Sequence, residues 1–151
     1  MERFDKASEQ EREAPRKDVA ELLNNAIALE YAAAIQFQTW ASVAEGLDGE
    51  QIGAVLRLMA PGDLGHAQQL LDRLWALGEQ PRMQVGKTRL VRGANEILDA
   101  AIGVEEEAVA IYRSLLSRIT RKSMLLWETV EEILEDEEAE LEKLKRLRGT
   151  R

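Results

Sequence analysis

The sequence predicts an all-α protein in which four helices form a bundle of two antiparallel hairpins joined by a long crossover. The 151 residues are rich in the helix formers Ala, Leu, Glu and Arg, and 45% of them are hydrophobic. Apolar residues recur at steps of three and four in four stretches, and no stretch shows the apolar–polar alternation of a strand. Two short turns and one long connection separate these stretches, which indicates two hairpins.

The first helix is predicted to begin after Pro15. The polar residues 1–15 have no periodic apolar face, so we expect an N-terminal tail, either frayed or an exposed helical extension, ahead of a bundle domain of residues 16–151. Turn-forming residues 45–49, centred near Leu47, end the helix. Its inward stripe is Leu23, Ile27, Glu30, Ala34, Phe37 and Ala41.

The second helix is predicted to end at Gly78, with Pro81 just beyond it. Pro61 and Gly62 lie inside this helix. Because a proline removes a backbone hydrogen bond, we expect a kink or a π-type bulge within one turn of Asp63. The inward stripe is Ile52, Leu56, Met59, Asp63, His66, Leu70, Leu74 and Leu77.

Residues 79–92 form the long connection of the chain. An extended segment of this length reaches about 45 Å, whereas the second helix is about 40 Å long. The connection can therefore run back along the bundle, which makes the second and third helices parallel. A folded-back connection, which gives a simple up-down bundle, is the alternative.

The third and fourth helices form the second hairpin. They are predicted over residues 94–119 and 122–147, with a turn near Arg121. The third helix presents Leu98, Ile102, Glu105, Val109, Tyr112 and Leu116 on one face. The fourth presents, with regular a/d spacing, Leu126, Val130, Ile133, Glu137, Glu140, Leu144 and Leu147.

Composition and charge exclude several kinds of function. The net charge of −8 would repel a phosphate backbone, so no nucleic-acid partner is expected. The absence of cysteine excludes disulfides, zinc–thiolate sites and iron–sulfur clusters. The N-terminal segment is charged throughout and no apolar run has transmembrane length, so we expect a cytoplasmic protein with no membrane partner.

Ionisable residues interrupt each of the four apolar stripes. Burying one isolated carboxylate costs several kcal/mol, so a buried ring of carboxylates requires a counter-charge, which a metal ion supplies. Oxygen ligands with one imidazole suit iron or manganese, and affinity alone also admits zinc. The candidate metal ligands are Glu30, Asp63, His66, Glu105, Glu137 and Glu140.

The distance of each candidate from its turn gives an independent check, because residues equally far from a turn lie opposite each other in a hairpin. Counted from Leu47, Glu30 lies 17 residues before the turn, while Asp63 and His66 lie 16 and 19 after it. The first hairpin therefore places one carboxylate opposite an i, i+3 pair.

The second hairpin repeats this arrangement. Counted from Arg121, Glu105 lies 16 residues before the turn, while Glu137 and Glu140 lie 16 and 19 after it. One carboxylate facing an i, i+3 pair in each hairpin is the geometry of di-metal carboxylate bundles.

Segments in three of the helices resemble the bacterioferritin and rubrerythrin branch of the ferritin-like superfamily. The resemblance covers residues 19–148. It lies in Leu-Glu-Tyr-Ala-Ala-Ala-Ile-Gln-Phe (29–37), Asp-Leu-Gly-His-Ala-Gln (63–68), Leu-Gly-Glu-Gln-Pro (77–81) and Ile-Leu-Glu-Asp-Glu-Glu-Ala-Glu (133–140). That family binds two irons with a lone Glu on the first and third helices and Glu-x-x-His on the second and fourth. The resemblance implies two iron ions on the six candidates, with Glu30 and Glu105 as the lone carboxylates.

Two candidates depart from the family pattern, since Asp63 stands in place of Glu and Glu140 in place of a second His. Leu64 occupies the place of the haem-ligating Met of bacterioferritin, so no haem is expected. Phe37 occupies the place of a redox-active Tyr, which disfavours a radical role there. Trp40, Trp75, Trp127, Phe37 and Tyr112 are interpreted as core or subunit-contact aromatics.

Plainer interpretations exist for the same residues. A lone histidine on an apolar face is often a hydrogen-bonded core residue, and Glu137 and Glu140 belong to the acidic run 135–142, a pattern typical of a solvated face. Glu105 begins a triplet of acids, so a neighbour could take its place.

Three functions are consistent with the sequence. The first is a di-metal oxidoreductase of ferroxidase or peroxidase type, with O₂ or peroxide as partner, in iron or oxidative-stress handling. The second is a metal-free structural or interaction bundle in which the acids are protonated or paired with arginines such as Arg57 or Arg73. The third is a diiron oxygenase acting on an organic substrate. A homo-oligomer, with a dimer favoured, is expected in each case.

Overall fold

The computed structural model describes residues 3–120 and 123–149, with side chains from Lys17 onward. All regular secondary structure in this part of the chain is helical, which confirms the predicted all-α class. The four helices are α1 (Arg3–Val43), α2 (Gly46–Ala76), α3 (Ala94–Arg118) and α4 (Met124–Arg148). Helix α1 packs against α2 and α3 against α4, and α1 also contacts α3.

The N-terminal segment differs from its predicted boundary. Helix α1 begins at Arg3 and continues through Pro15, which agrees with the helical extension given as one alternative for the tail but not with a helix start after that proline. A proline removes one backbone hydrogen bond and can lie inside a long helix at a local cost without ending it. The division into residues 1–15 and 16–151 stays a prediction, and the exposure of the tail's side chains lies outside the described residues.

The turn between α1 and α2 is shorter and earlier than predicted. Only Ala44 and Glu45 separate the two helices. Gly46 begins α2 with a φ of +79°, a conformation that glycine adopts readily. A Cβ at Gly49 would lie 2.7 Å from the carbonyl carbon of Ala44. In the sequence these glycines indicate a loop. In the structure they belong to α2, and the lack of a side chain at Gly49 allows the start of α2 to pack closely against the end of α1.

The long connection is held along α1 by hydrogen bonds. The Asn24 amide oxygen accepts a bond from the backbone N–H of Arg82 at 2.8 Å. Farther along α1, Gln36 accepts from the N–H of Arg89 at 3.0 Å, and the Trp40 indole donates to the Arg89 carbonyl at 2.9 Å. The connection therefore returns from the C-terminal end of α2 toward its N-terminal end. Helices α2 and α3 are parallel, as the crossover prediction requires.

Helix α2 is continuous through Pro61 and Gly62. Every residue of α2 is described and α-helical, so the predicted π-type bulge is wrong, while a kink stays a prediction. A Cβ at Gly62 would meet the Glu140 carboxylate at 3.9 Å, which is ordinary contact. A Cβ would therefore fit at Gly62 in contact with Glu140.

The core consists of two hydrophobic clusters, one toward each end of the bundle. One is built around Leu23, Ile27, Leu70, Leu74, Tyr112, Leu115, Val130 and Ile133. The other is built around Phe37, Trp40, Ile52, Leu56, Met59, Ile97, Ala101 and Leu144. Polar side chains occupy the level between the two clusters, and this belt contains the predicted site.

Candidate metal centre

All six predicted side chains lie in the belt between the two hydrophobic clusters. Each helix contributes at least one of them, and the structure places together Glu30, Asp63, His66, Glu105, Glu137 and Glu140. Five are buried, and Glu140 is half-buried. The acids at 137 and 140 thus point inward from a run whose other members are mostly exposed. Their role as ligands is a proposal that the geometry permits.

The six side chains form two overlapping groups. Within each group, one ligand atom from each residue lies within 4.8 Å of the others. The first group is Glu30, Asp63, His66 and Glu137, and the second is Asp63, Glu105, Glu137 and Glu140. Asp63 and Glu137 belong to both. Two carboxylates shared between two clusters of four donors can support a pair of neighbouring ions.

His66 is oriented by carboxylates on both ring nitrogens. Its Nδ1 lies 2.9 Å from Glu137 Oε1 and 3.6 Å from Glu30 Oε2. Its Nε2 lies 3.0 Å from the Asp136 carboxylate. Because an ionised carboxylate only accepts hydrogen bonds, Nε2 donates to Asp136. This second contact directs Nδ1 toward the other acids, as supporting carboxylates do for metal-ligating histidines.

Tyr112 and Asp136 were not predicted to serve the site. The Tyr112 hydroxyl donates to Glu30 Oε1 at 2.5 Å, and the ring is fully buried. Tyr112 lies two turns after Glu105 on the same face of α3, so its spacing could have indicated this contact. Asp136 falls outside the apolar stripe of α4. The periodicity of a single helix predicts which residues face inward, but it does not predict a contact between an exposed residue and a histidine on another helix.

Several carboxylate oxygens in the belt have no hydrogen-bond partner. Both oxygens of Asp63, both of Glu105, and one each of Glu30 and Glu140 are buried and accept no hydrogen bond, although that of Glu30 lies 3.6 Å from His66 Nδ1. Leaving a buried polar atom unsatisfied costs about 1–3 kcal/mol, and more for a charged group. These oxygens converge on the same space as the two groups of donors. The residues therefore fit divalent metal ions, which would bind the unpartnered oxygens and offset their charge.

Burial shifts the protonation of the acids. It raises the pKa of Asp63 to about 10, with further contributions from the negative charges of Glu30, Glu137 and Glu140. Burial also raises the pKa of Glu140 to about 8 and that of Glu30 to about 7, where contact with His66 opposes the shift. The pKa of Glu105 is raised by burial and by the neighbouring Glu137. Without metal, protons supply much of the missing positive charge.

His66 and Glu137 carry the opposite charges of the belt. Burial alone would lower the pKa of His66, but its contacts with Glu137, Glu30 and Asp136 raise it to about 11. Burial would raise the pKa of Glu137, but contacts with Glu105, His66 and Glu30 outweigh it and lower the pKa. The metal-free belt is thus organised around an imidazolium–carboxylate pair.

Neither of the two arginines proposed as counter-charges, Arg57 and Arg73, forms an ion pair with these acids in the described part of the chain. Arg57 donates to the backbone carbonyl of Ala41 at 3.4 Å. Within residues 17–120 and 123–149, the ion pairs that join two members of the belt are those of His66 with Glu30 and Glu137. The metal-free alternative therefore depends on protons and on His66.

Nearly the whole chain matches a known protein family. A family model for the ferritin-like domain matches residues 20–150. The chain belongs to the ferritin-like domain family. None of the curated proteins matches it.

Solved structures share this ferritin-like fold at low sequence identity. A ferritin-like, diiron-carboxylate protein from Bacillus anthracis str. Ames is similar, with a TM-score of 0.84 at 24% sequence identity. The match covers 89% of this chain and 98% of the Bacillus anthracis chain. The dodecameric thioferritin of Bacteroides fragilis, a bacterioferritin-related protein, has a TM-score of 0.81 at 20% identity, covering 87% and 84%. Identities this low fit a divergent member of the family.

A haem-containing bacterioferritin is also similar. The Rhodobacter capsulatus protein, described with a metal-free dinuclear site and haem iron, has a TM-score of 0.79 at 21% identity, covering 88% of this chain and 84% of its own. Leu64, which is predicted from the resemblance to occupy the place of a haem ligand, is 51% exposed on α2. The absence of haem stays a prediction.

The remaining aromatic residues divide between core and surface. Trp40, Phe37 and Tyr112 are fully buried, which confirms them as core residues. Trp127 is half-buried, and Trp75 is 66% exposed.

Among the described helices, none combines the length and apolarity that a membrane crossing requires.

Proposed function

We propose that this ferritin-like chain binds two metal ions and acts as an oxidoreductase of ferroxidase or peroxidase type in iron or oxidative-stress handling. Iron is the favoured metal, with manganese or zinc as alternatives, and O₂ or peroxide is the proposed oxidant. The ions would be held by Glu30, Asp63, His66, Glu105, Glu137 and Glu140.

The observation that carries this proposal is the convergence of unpartnered, buried oxygens from all four helices. Asp63 has no exposed surface and neither of its oxygens accepts a hydrogen bond, and the two oxygens of Glu105, which has 1% exposure, likewise accept none. A structural role alone would leave these groups at a cost that apolar side chains of similar size would avoid. Binding of these carboxylates to metal ions would offset the cost of burying them.

Iron bound here would supply the redox chemistry, by passing between its ferrous and ferric states. The protein would position the two ions and balance their positive charge with carboxylates. Asp63 and Glu137, which belong to both groups of donors, would help to hold both ions, His66 would offer one nitrogen, and the Tyr112 hydroxyl donates a hydrogen bond to Glu30. The protons on the acids and on Nδ1 of His66 must leave when metal binds, so binding releases protons and weakens at low pH.

The two hydrophobic clusters exclude water from above and below the belt. A low-dielectric environment strengthens the attraction between carboxylates and cations. Glu140, which is half-buried beside Gly62, is the part of the belt nearest to solvent, and ions and oxidant are proposed to enter there.

Anaerobic titration with Fe(II), followed by exposure to O₂, tests the proposal. We expect about two equivalents to bind, and oxygen to be consumed with Fe(II) alone. Glu105→Gln should lose at least one equivalent, whereas Glu106→Gln, the same change on the exposed neighbouring residue, should keep both. Binding of less than one equivalent by the unmodified protein would refute metal function. A requirement for an organic co-substrate would favour the oxygenase alternative.

A metal-free structural bundle is the second candidate. It is favoured by the ion pair between His66 and Glu137, which partly satisfies the belt without metal. Cytoplasmic location and a homodimer also stay predictions. Trp75, exposed on α2, is the kind of apolar side chain that a subunit contact would cover.

A further inference from the structure

The glycines of α2 divide into two kinds. At Gly49 and Gly53 a Cβ would lie 2.7 Å and 3.0 Å from backbone atoms at or just after the end of α1, so close packing requires glycine there. At Gly65 a Cβ would meet nothing within 4 Å, and at Gly62 it would meet Glu140 at 3.9 Å, which is ordinary contact. Neither Gly62 nor Gly65 has the positive φ that favours glycine. Packing and backbone geometry therefore do not explain these two glycines.

Both glycines lie beside two of the proposed metal ligands. The sequence Pro-Gly-Asp-Leu-Gly-His (61–66) places them, with a helix-interior proline, around Asp63 and His66. At a helix-interior position alanine is favoured over glycine by about fivefold and over proline by about a hundredfold or more. Within two turns of Glu30 on α1 and of Glu137 on α4, the sequence contains neither glycine nor proline. Low helix propensity is therefore concentrated in α2 at the level of the belt.

The segment 61–66 is also the wall between the belt and solvent on this side. Its two ligands, Asp63 and His66, are buried, whereas its other members are exposed. Helix α2 packs mainly against α1, and the open space around a Cβ at Gly65 means that no described side chain covers the helix at that point. A single layer of helix therefore separates the belt from solvent here.

Local opening of this segment would relieve a cost that the metal-free protein carries. Both oxygens of Asp63 are buried and accept no hydrogen bond, and opening would expose them to water. Segments with few buried apolar contacts and exposed backbone hydrogen bonds open most readily. Metal bound to Asp63 and His66 would instead hold the segment closed. Opening is thus favoured without metal and opposed with it.

Resting on the proposed function, we infer that residues 61–66 of α2 form a gate, which unwinds locally, admits a divalent metal ion to the belt, and closes when Asp63 and His66 bind the ion. Gly62 and Gly65 supply no ligand and set how often the gate opens. The gate governs how fast metal enters and leaves the belt. Because it leaves the closed site unchanged, it does not alter the affinity.

Hydrogen exchange of the metal-free protein tests the opening itself. The amides of residues 62–69 should be about tenfold or more less protected than those of residues 105–112 of α3, and Gly65→Ala should raise their protection about fivefold. Gly103→Ala is the matched control, because Gly103 is an exposed helical glycine of α3 whose Cβ would also meet nothing within 4 Å. It should leave residues 62–69 unchanged. Equal protection of the two segments, or no response to Gly65→Ala, would overturn the inference.

Anaerobic stopped-flow uptake of Fe(II), and its release into an excess of a chromophoric chelator, test the gate as a route for metal. Gly65→Ala should slow both about fivefold and leave the dissociation constant unchanged, whereas Gly103→Ala should alter neither rate. Pro61→Ala should act in the same direction, because it restores a backbone hydrogen bond. Unchanged rates in Gly65→Ala with normal stoichiometry would overturn the inference and leave the proposed function standing. Binding of less than one equivalent by the unmodified protein would overturn both.

Discussion

Replacing Asp63 by asparagine is expected to change stability in opposite directions with and without metal. Asp63 is fully buried, neither of its oxygens is hydrogen-bonded, and it belongs to both groups of donors. Asparagine has nearly the same shape but carries no charge at any pH. The substitution therefore separates the cost of burying the acid from the benefit of binding metal through it.

The magnitude follows from the pKa of Asp63, which burial and the neighbouring acids raise to about 10 from 3.8. A carboxyl whose pKa is higher in the folded state binds its proton more tightly there. The stability it contributes is complete below about pH 4 and is lost as the pH rises toward 10. Protonating it to fold at pH 7 costs about 4 kcal/mol, at 1.36 kcal/mol per pH unit. Because the buried amide also has a desolvation cost, we expect Asp63→Asn to stabilise metal-free protein by about 2 kcal/mol.

With metal the sign reverses. A ligand that binds only the folded state stabilises it by about 2.7 kcal/mol when the free ligand exceeds the dissociation constant a hundredfold. The unmodified protein should gain this amount with Fe(II) or Mn(II), whereas Asp63→Asn, which lacks an oxygen shared by both positions, should gain little.

Urea denaturation with chelator and with excess metal, at pH 5 and pH 8, measures both effects. The stabilisation of metal-free Asp63→Asn should be larger at pH 8 than at pH 5, because the unmodified protein loses stability between these values. Asp72→Asn makes the same change at an exposed position of α2 and should alter the free energy of unfolding by less than about 0.5 kcal/mol. If metal-free Asp63→Asn is less stable than the unmodified protein at pH 8, the reasoning about the buried acid is wrong.

Three further substitutions test individual contacts. Tyr112→Phe removes the hydrogen bond to Glu30 and should lower the free energy of unfolding by about 1–2 kcal/mol in urea denaturation. Asp136→Asn removes the charged acceptor of His66 and should weaken metal binding, measured by calorimetry, about 10–100-fold. Trp40→Phe removes the indole bond to the long connection and should cost about 1–2 kcal/mol of stability in urea denaturation without altering metal stoichiometry.

Each of these has an outcome that contradicts it. Tyr31→Phe, at a half-buried position of α1, should have a smaller effect than Tyr112→Phe, and equal effects would argue against the contact with Glu30. Unchanged metal affinity in Asp136→Asn would show that His66 needs no support. Loss of bound metal in Trp40→Phe would mean that the connection shapes the belt directly.

The residues of the belt can be predicted from the sequence because they are charged residues at positions where the helix pattern calls for apolar, buried ones. Along each helix the steps of three and four identify the inward face from many apolar residues at once, so a single acid on that face is conspicuous. Glu105 illustrates this, since helix phase separates it from the adjacent Glu106, and the structure buries the first and exposes the second. The fold follows from the same periodicity, together with the lengths of the three connections.

Turn positions were less predictable, because glycine serves both loops and close-packed helix starts. With the turn at Ala44 and Glu45, Glu30 lies 15 residues before Glu45 and Asp63 lies 18 after it. The count of near-equal depths therefore depended on a misplaced turn centre. A difference of three residues corresponds to about 4.5 Å along a helix.

The direction of the side chains explains why Glu30 and Asp63 still meet. In a helix each Cα–Cβ bond tilts toward the N-terminus. That direction points away from the turn in α1 and toward the turn in α2, so the shallower Glu30 reaches deeper into the bundle and the deeper Asp63 reaches back. In this first hairpin, a depth count therefore pairs Glu30 with a residue three positions deeper on α2, which a stripe pattern alone does not show.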